Sequence, residues 1–298
     1  VGVLLQGFKG LGYKVLGVDP SETAGQKAID NGIDTVVDFF NEEAADRIHQ
    51  KYGSAKVITA TNCFGHIFEL DSTVRGMAGL LSKNGVIAVE SPYALDLINN
   101  LEYDTIYHEH ICYLSIKPMK HYLKRFGLEL FDIKRSPIHG GSMRYYIGFK
   151  GRHPIKRSVS LCLADEENNL YSEKKLKNFA SKVKNQRMAL LNLILDLKKQ
   201  GKTVVGVTAP AKGNTLLNYC KLDANYLDFL TEKTQIKIGR YSPGMHIPVY
   251  SDDHLLKNKP DYALILAWNF ADEIMKNLSE FKKQGGKFII PIPKPRII

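Results

Sequence analysis

Two runs decide the fold: LELFDIKRS (Leu128–Ser136) and SMRYYIGFK (142–150), separated by PIHGG (137–141). Both read as strands, and the segment between them is a short turn holding one proline and two glycines. A connection that short closes an antiparallel hairpin, because a parallel crossover takes a dozen or more residues. The sheet that owns these strands is therefore predicted to have one antiparallel edge.

Upstream the pattern changes. Short apolar strands are predicted at 14–18, 35–37, 56–61 and 85–90, with helices at 22–31, 42–52, 70–82 and 92–100 between them and a further helix near 118–126. Strands alternating with helices imply a parallel, doubly wound α/β sheet with right-handed crossovers. A parallel sheet finished by an antiparallel hairpin resembles the fold of S-adenosylmethionine-dependent methyltransferases, whereas a dinucleotide-binding domain usually continues with parallel strands. Downstream, strands at 203–207, 228–231, 262–267 and 287–290, with helices near 212–222 and 271–284, predict a second, smaller Rossmann-like α/β unit. The expected division is 1–150 for the methyltransferase-like domain, 151–201 for a helical basic connector, and 202–298 for the C-terminal domain.

Composition narrows the function classes. The 298 residues are 44% hydrophobic and 24% charged, too apolar for a disordered chain. No apolar run approaches the roughly 20 residues of a membrane span, so a cytoplasmic protein with no membrane partner is expected. Four cysteines (Cys63, Cys112, Cys162, Cys220) lie far apart without a Cys-x-x-Cys pair, which argues for reduced thiols and against a zinc ribbon in this segment. The net charge is +10, and residues 150–202 hold thirteen Lys/Arg against five Asp/Glu, a net +8. Apolar residues at Leu176, Phe179, Val183, Leu190, Ile194 and Leu197 follow helical spacing there. The basic face is then read as a solvated helix surface, ahead of nucleic-acid binding or an anionic small substrate.

Candidate site residues gather at predicted strand ends, where open α/β sheets hold their ligands. Asp19, before Pro20-Ser21, is placed either to accept ribose hydroxyls or to cap a helix. Gly2 looks like the tail of a glycine-rich turn entering a helix. Asp38 and Phe39 stand where an adenine would lie, or form a capping Asp beside a core Phe pair. Asn62 and His66 end the next apolar strand, as ligand-facing groups or as structural ones. The densest stretch is DTIYHEHICY (104–113). Read as a strand, it puts Tyr107, Glu109 and Ile111 on one side and His108 and His110 on the other. Its histidines could bind metal or move protons, but the zinc-protease spacing is absent and no metal is assigned. In the hairpin turn, His139, Ser142 and Arg144 could hold a phosphate, or the glycines could simply make the turn.

Together, VLGVDPS (15–21), DTIYHEHICY (104–113) and HGGSMR (139–144) resemble the C-methyltransferases that methylate C-3 of nucleotide-linked 4-keto-deoxysugars. So do APAKGNTLLNY (209–219), KIGRYSPGMHIP (237–248), LILAWNFADEI (264–274) and GGKFIIPIP (285–293). The resemblance spans nearly the whole chain. It implies S-adenosylmethionine as donor and a catalytic cluster of Tyr107, Glu109 and His110, with His110 as general base and Asn62 and His66 lining the same pocket. Gly2, Asp19, Pro20, Asp38, Phe39 and Asn62 are the implied cofactor residues. His139, Ser142, Arg144, Lys212, Asn214, Lys237 and Arg240 are assigned to the sugar nucleotide, a dTDP-linked one being expected. The C-terminal domain is the expected sugar-nucleotide binder, and the expected assembly is a monomer or weak homo-oligomer. Two departures stand out. The family has a cysteine-rich N-terminal zinc domain with no counterpart here, so zinc is expected only ahead of Val1, and the family's glycine before Ala-Pro-Ala-Lys is Thr208. Rival readings are an NAD-dependent nucleotide-sugar oxidoreductase or epimerase, and a non-catalytic nucleotide-binding protein.

Overall fold

The structure is a computed structural model that describes residues 2–298. In chain order its elements are α1 (Val3–Gly10), β1 (Gly17–Asp19), α2 (Glu22–Asp30), β2 (Thr35–Val37), α3 (Glu42–Tyr52), β3 (Ala55–Thr61), α4 (Leu70–Leu80), β4 (Leu81–Pro92), α5 (Ala94–Asn100), α6 (Ile116–Leu123), β5 (Leu128–Ser136) and β6 (Ser142–Phe149). There follow α7 (Arg157–Asn169), α8 (Glu173–Lys199), β7 (Val204–Val207), α9 (Ala211–Cys220), β8 (Leu230–Thr231), β9 (Val249–Tyr250), α10 (Asp252–Asn258), β10 (Tyr262–Ile265), α11 (Ala271–Asn277), α12 (Ser279–Lys283), β11 (Lys287–Ile290) and β12 (Arg296–Ile297). Two compact units interleave along this order. Among the described residues the first comprises 2–91, 116–134 and 144–161, and the second 92–115, 135–143 and 162–298. The sequence reading cut the chain at 150 and 201 instead. Local pattern locates elements, but not which elements share a core.

The first unit is built on parallel pairs. β1 pairs with β2, and β3 pairs with β4 with Val57 opposite Val86 and Thr61 opposite Glu90. The expected single sheet is two: β1–β2, and β3–β4–β6–β5. At the open end of the hairpin the Gly127 carbonyl accepts from the Lys150 N–H at 3.0 Å, so β5 and β6 run antiparallel and form the predicted edge. Side-chain oxygens start the helices: Ser21 accepts from Ala24 N–H and Asn41 from Ala44 N–H. Gly76 lets α4 close on α3, since a Cβ there would stand 2.6 Å from the Asn41 carbonyl oxygen. Ala45, Ile48 and Leu80 bury against Val18, Val36, Phe40 and Ile58.

In the second unit β7 is central, in the order β12-β11-β10-β7-β8-β9, with only β12 among the recorded pairings antiparallel. Every residue of β7 is buried, as befits a parallel strand covered on both faces. Val204, Leu264 and Ile289 face one core with Leu190, Ile194 and Leu216. Val205, Val207, Ile265 and Phe288 face the other with Leu255 and Phe281. Helix α8 buries Val183, Gln186, Leu190, Ile194 and Leu197 and packs Phe179 partly, while Leu176 is exposed, against expectation. Lys174, Lys175, Lys177, Lys182 and Lys184 are exposed, which is the solvated face expected. The predicted helix 271–284 is two helices meeting at Leu278, and β9, α10 and β12 were not anticipated. Among the described residues no helix is long and apolar enough to cross a membrane.

Candidate active site

In the first unit three strand ends present polar groups. Asp19 closes β1, and its Oδ1 accepts from the Ser21 N–H at 2.9 Å. The cap of α2 is Ser21 itself, so Asp19 is not the helix cap, and Pro20 beside it is exposed. After β2, Asp38 holds the Phe39 N–H on Oδ1 at 2.7 Å and pairs with Arg47 through Oδ2. Both oxygens are engaged, and the cap of α3 is Asn41. Of the two phenylalanines only Phe40 packs in the core; Phe39 is 70% exposed. After β3, Asn62 takes a left-handed conformation (φ 53°), donates its N–H to the Glu90 carbonyl, and keeps a buried Oδ1 without a hydrogen-bond partner among the described residues. The thiol of Cys63, the next residue, is pushed up first by desolvation of its sulfur and then by the negative charge of Asp19, although the residue as a whole is exposed. His66 is exposed and ends a 3-10 turn whose Phe64 and Gly65 are buried. Gly2 (φ 72°) precedes α1, and a Cβ there would meet Ile33 Cγ1 at 2.9 Å, so glycine is required.

The second unit holds the titratable stretch, which is not a strand. Residues Tyr103–Thr105 form a 3-10 turn, and His110 N–H donates to the Tyr107 carbonyl at 3.0 Å in a second turn. The two-sided split of Tyr107, Glu109 and Ile111 against His108 and His110 is therefore replaced by a folded loop. His110 Nδ1 lies 2.6 Å from the Thr105 carbonyl oxygen. A carbonyl only accepts, so Nδ1 carries the hydrogen, and in the neutral imidazole Nε2 is then the acceptor nitrogen. The Tyr107 ring lies 4.3 Å from the imidazole, and burial, followed by the Glu109 charge, raises the phenol and keeps it neutral at pH 7. Glu109 itself is exposed.

The turn is fixed from behind. The Tyr103 hydroxyl donates to Gln186 Oε1 at 2.5 Å, and the Trp268 indole N–H donates to Asp104 Oδ2 at 2.7 Å. Lys212, in the first turn of α9, bonds Asn269 and lies 4.2 Å over the Trp268 ring. Burial lowers its pKa, while the charges of Asp104 and Glu102 oppose that. Glu102, 1% exposed, is pushed up to about 7, first by burial, and accepts from Asn100 Nδ2 at 3.0 Å. Asn100 also donates to the Gly140 carbonyl of the hairpin turn. The sequence reading quoted Asp104 at the head of the titratable stretch without giving it a role, and it did not single out Glu102, two residues before it.

Several residues assigned to the sugar nucleotide are held by protein partners within their own units. Ser142 is fully buried and donates to the Ile138 carbonyl, while Arg144 belongs to the first unit, where it pairs with Glu90. Lys237 bonds the Ala209 carbonyl at 2.9 Å and Glu232 at 3.3 Å. Asn214 lies on α9, His139 packs edge-on to Phe270, and Arg240 is exposed. A cleft of about 400 Å³ opens at the carboxyl ends of β7 and β10, with Thr208, Ala267 and Phe270 in its wall and Glu232, Asp252 and Glu273 facing one lysine, Lys233. Thr208 holds a positive φ of 67° and accepts the Ala267 N–H on Oγ1 at 3.1 Å. That is the backbone shape a glycine adopts freely and a β-branched residue does not.

Comparison with known proteins decides the family. Residues 137–293 match the C-methyltransferase C-terminal domain, and residues 1–133 match a methyltransferase domain. The chain belongs to the C-methyltransferase family. It is 34% identical over 299 residues to the C-methyltransferase NovU of Streptomyces niveus, covering all of this chain and 71% of NovU. Solved structures similar in part include an S-adenosylmethionine-dependent methyltransferase from Anabaena variabilis (17% identity, TM-score 0.39, 50% of this chain and 74% of that one). Another is the O-methyltransferase NcsB1 of neocarzinostatin biosynthesis, solved with S-adenosylmethionine (16%, TM-score 0.37, 50% and 46%). The protein is thus a C-methyltransferase with a methyltransferase-type α/β unit. Family membership overturns the oxidoreductase and non-catalytic readings. Among the described residues of this C-methyltransferase no group of three or more His, Cys, Asp and Glu could hold a metal ion.

Proposed function

We propose that this C-methyltransferase transfers a methyl group from S-adenosylmethionine to C-3 of a nucleoside-diphosphate 4-keto-deoxysugar. The observation that carries the reading is His110, whose Nδ1–H is committed to the Thr105 carbonyl with the Tyr107 ring 4.3 Å from the imidazole. The sugar class rests on the resemblance carried by the sequence motifs.

The first unit fits the donor. The buried Asn62 oxygen, without a partner among the described residues, can take a hydrogen-bond donor, Asp19 offers a carboxylate to ribose hydroxyls, and Phe39 an exposed ring to adenine. When bound, S-adenosylmethionine supplies a methyl group on a sulfonium, whose sulfur leaves with the C–S electron pair. In the second unit His110 Nε2 takes the C-3 proton, acidified by the neighbouring ketone. The C–H electron pair passes to an enolate, whose oxygen the Tyr107 hydroxyl can stabilise, and C-3 then forms the new bond to the methyl carbon. The imidazolium afterwards returns its proton to water. Arg144, Lys212 and Lys237 have protein partners, so exposed Arg240 is the better cation for the diphosphate. The acidic rim of the cleft suits sugar or base hydroxyl and N–H groups and repels phosphate.

The test is turnover of a synthetic dTDP-4-keto-deoxyhexose with S-adenosylmethionine, read by mass spectrometry and by proton NMR at C-3. A product one methyl heavier at that carbon supports the reading. Methylation at oxygen or at another carbon, or no turnover with any 4-keto sugar nucleotide, would refute it.

A further inference from the structure

We propose that Asp104 is a positioning residue for His110, acting through the 3-10 turn whose final carbonyl orders the imidazole. This rests on the reading of His110 as the base. The turn is short, yet each of its residues is tied down. Tyr103 reaches Gln186, which in turn donates to the Pro291 carbonyl at 2.7 Å. Asp104 receives the Trp268 N–H, and Thr105 donates its hydroxyl to the Glu102 carbonyl at 2.7 Å and its N–H to the same atom at 3.1 Å. The carbonyl that leaves this turn is the one His110 Nδ1–H meets.

Asp104 is the costly member. It is fully buried, and its Oδ1 has no hydrogen-bond partner among the described residues. A buried acceptor without a partner opposes folding, so its presence asks for another role. Lys212 and Cys220 face it from α9, Trp268 from the turn before α11, and Glu102, Tyr103 and Tyr107 from its own segment. The ammonium held over the Trp268 ring keeps Asp104 ionised at neutral pH, and an ionised Asp104 holds the indole N–H and with it the turn. A negative charge one residue from the Thr105 carbonyl also favours the imidazolium that forms when His110 takes a proton.

The experiment uses the full chain with ¹⁵N-labelled histidine and two variants, Asp104→Asn and Trp268→Phe. The tautomer of His110, assigned by comparison with His110→Asn, is read by NMR without substrate. The wild type should show the Nδ1–H form, and both variants should lose part of it. With the sugar nucleotide, kcat should fall about tenfold to a hundredfold in Asp104→Asn, the usual cost of losing an orienting partner, with KM and S-adenosylhomocysteine affinity nearly unchanged. The acid limb of the kcat profile should shift, a change that loss of stability alone does not produce. If Asp104→Asn does not fold, Trp268→Phe, which removes the N–H donor and keeps an aromatic ring, carries the test. An unaltered His110 tautomer and pH profile in a folded variant would overturn the proposal. Full turnover by His110→Asn would sink the base reading instead, while the substrate-free NMR result would still decide whether Asp104 governs the imidazole.

Discussion

Arg144 places both Nε and Nη2 on one oxygen of the buried Glu90, at 3.0 and 2.6 Å. Glu90 closes the run of β4 that pairs with β3, so the ion pair ties the predicted hairpin to the parallel strands of its own unit. Replacing Arg144 by alanine strands a buried carboxylate. The expected loss is about 1–3 kcal/mol of stability, discounted because the guanidinium is partly exposed. The urea midpoint measures it, and Glu90→Gln combined with Arg144→Ala should recover part of the loss. A raised sugar-nucleotide KM with an unmoved midpoint would return Arg144 to the substrate.

Glu102 makes stability depend on pH in a defined window. Its folded pKa is raised from 4.5 to about 7 by burial, so the folded state holds a proton that the unfolded chain releases. That contribution is complete below pH 4.5 and is lost as pH rises through 7. Asp104, raised from 3.8 to about 6, acts in the same direction. The carboxylates held below their usual range, Glu232 and Asp261 among them, act in the opposite direction but only in more acid solution. Between pH 5 and 7.5 the unfolding free energy should fall by roughly 2–3 kcal/mol. Glu102→Gln should flatten most of that slope, and urea titrations at four pH values would show it. A slope equal to the wild type's would remove Glu102 as its source.

Asp19 can be separated from its own turn. Asp19→Asn keeps an acceptor for the Ser21 N–H, while Asp19→Ala removes it. If the carboxylate receives ribose hydroxyls, alanine should weaken S-adenosylhomocysteine binding by about 1.5–3 kcal/mol, and asparagine by less, since a charged acceptor is the stronger one. Calorimetry reads both. Equal, near-wild-type affinities would limit Asp19 to holding the loop.

The fold was legible wherever the local pattern carried it. Helix α3 was predicted at its observed bounds, because Asn41, an acidic first turn and Gly53 mark its ends. The hairpin β5–β6 and the buried run of β7 were read the same way. What failed depended on distant partners. The bond from Trp268 to Asp104 joins residues 164 apart, and that from Tyr103 to Gln186 joins residues 83 apart. No window around 104–113 contains them, so the stretch looked like a strand. Lys212, beside a glycine, was read as a phosphate ligand, and its contacts with Trp268 and Asn269 were not legible because those residues lie more than fifty positions away. His110 was legible as chemistry, but its tautomer was not, because Thr105 reaches it only through the loop.

The proton at C-3 gives the sharpest test of the mechanism. Abstraction by His110 needs the ketone and the base but no methyl group. Wild-type protein in deuterium oxide should therefore exchange C-3 of the keto sugar with S-adenosylhomocysteine in place of the donor. His110→Asn should abolish exchange, general-base assistance being worth about 10²–10⁴-fold. Tyr107→Phe should slow it less, because it removes a donor to the enolate oxygen and leaves the base in place. Lys212→Ala separates the two roles considered for that residue. A diphosphate ligand would raise KM and preserve exchange at saturation. A cation facing Asp104 and Glu102 would instead lower the exchange rate at saturation and the melting temperature together, and its surroundings favour this second outcome. Fast methyl trapping can hide exchange during turnover, so the measurement is paired with a primary isotope effect on methylation of the C-3 deuterated sugar. Methylation that shows neither exchange nor an isotope effect, with His110→Asn as active as wild type, would mean that the proton leaves by another route.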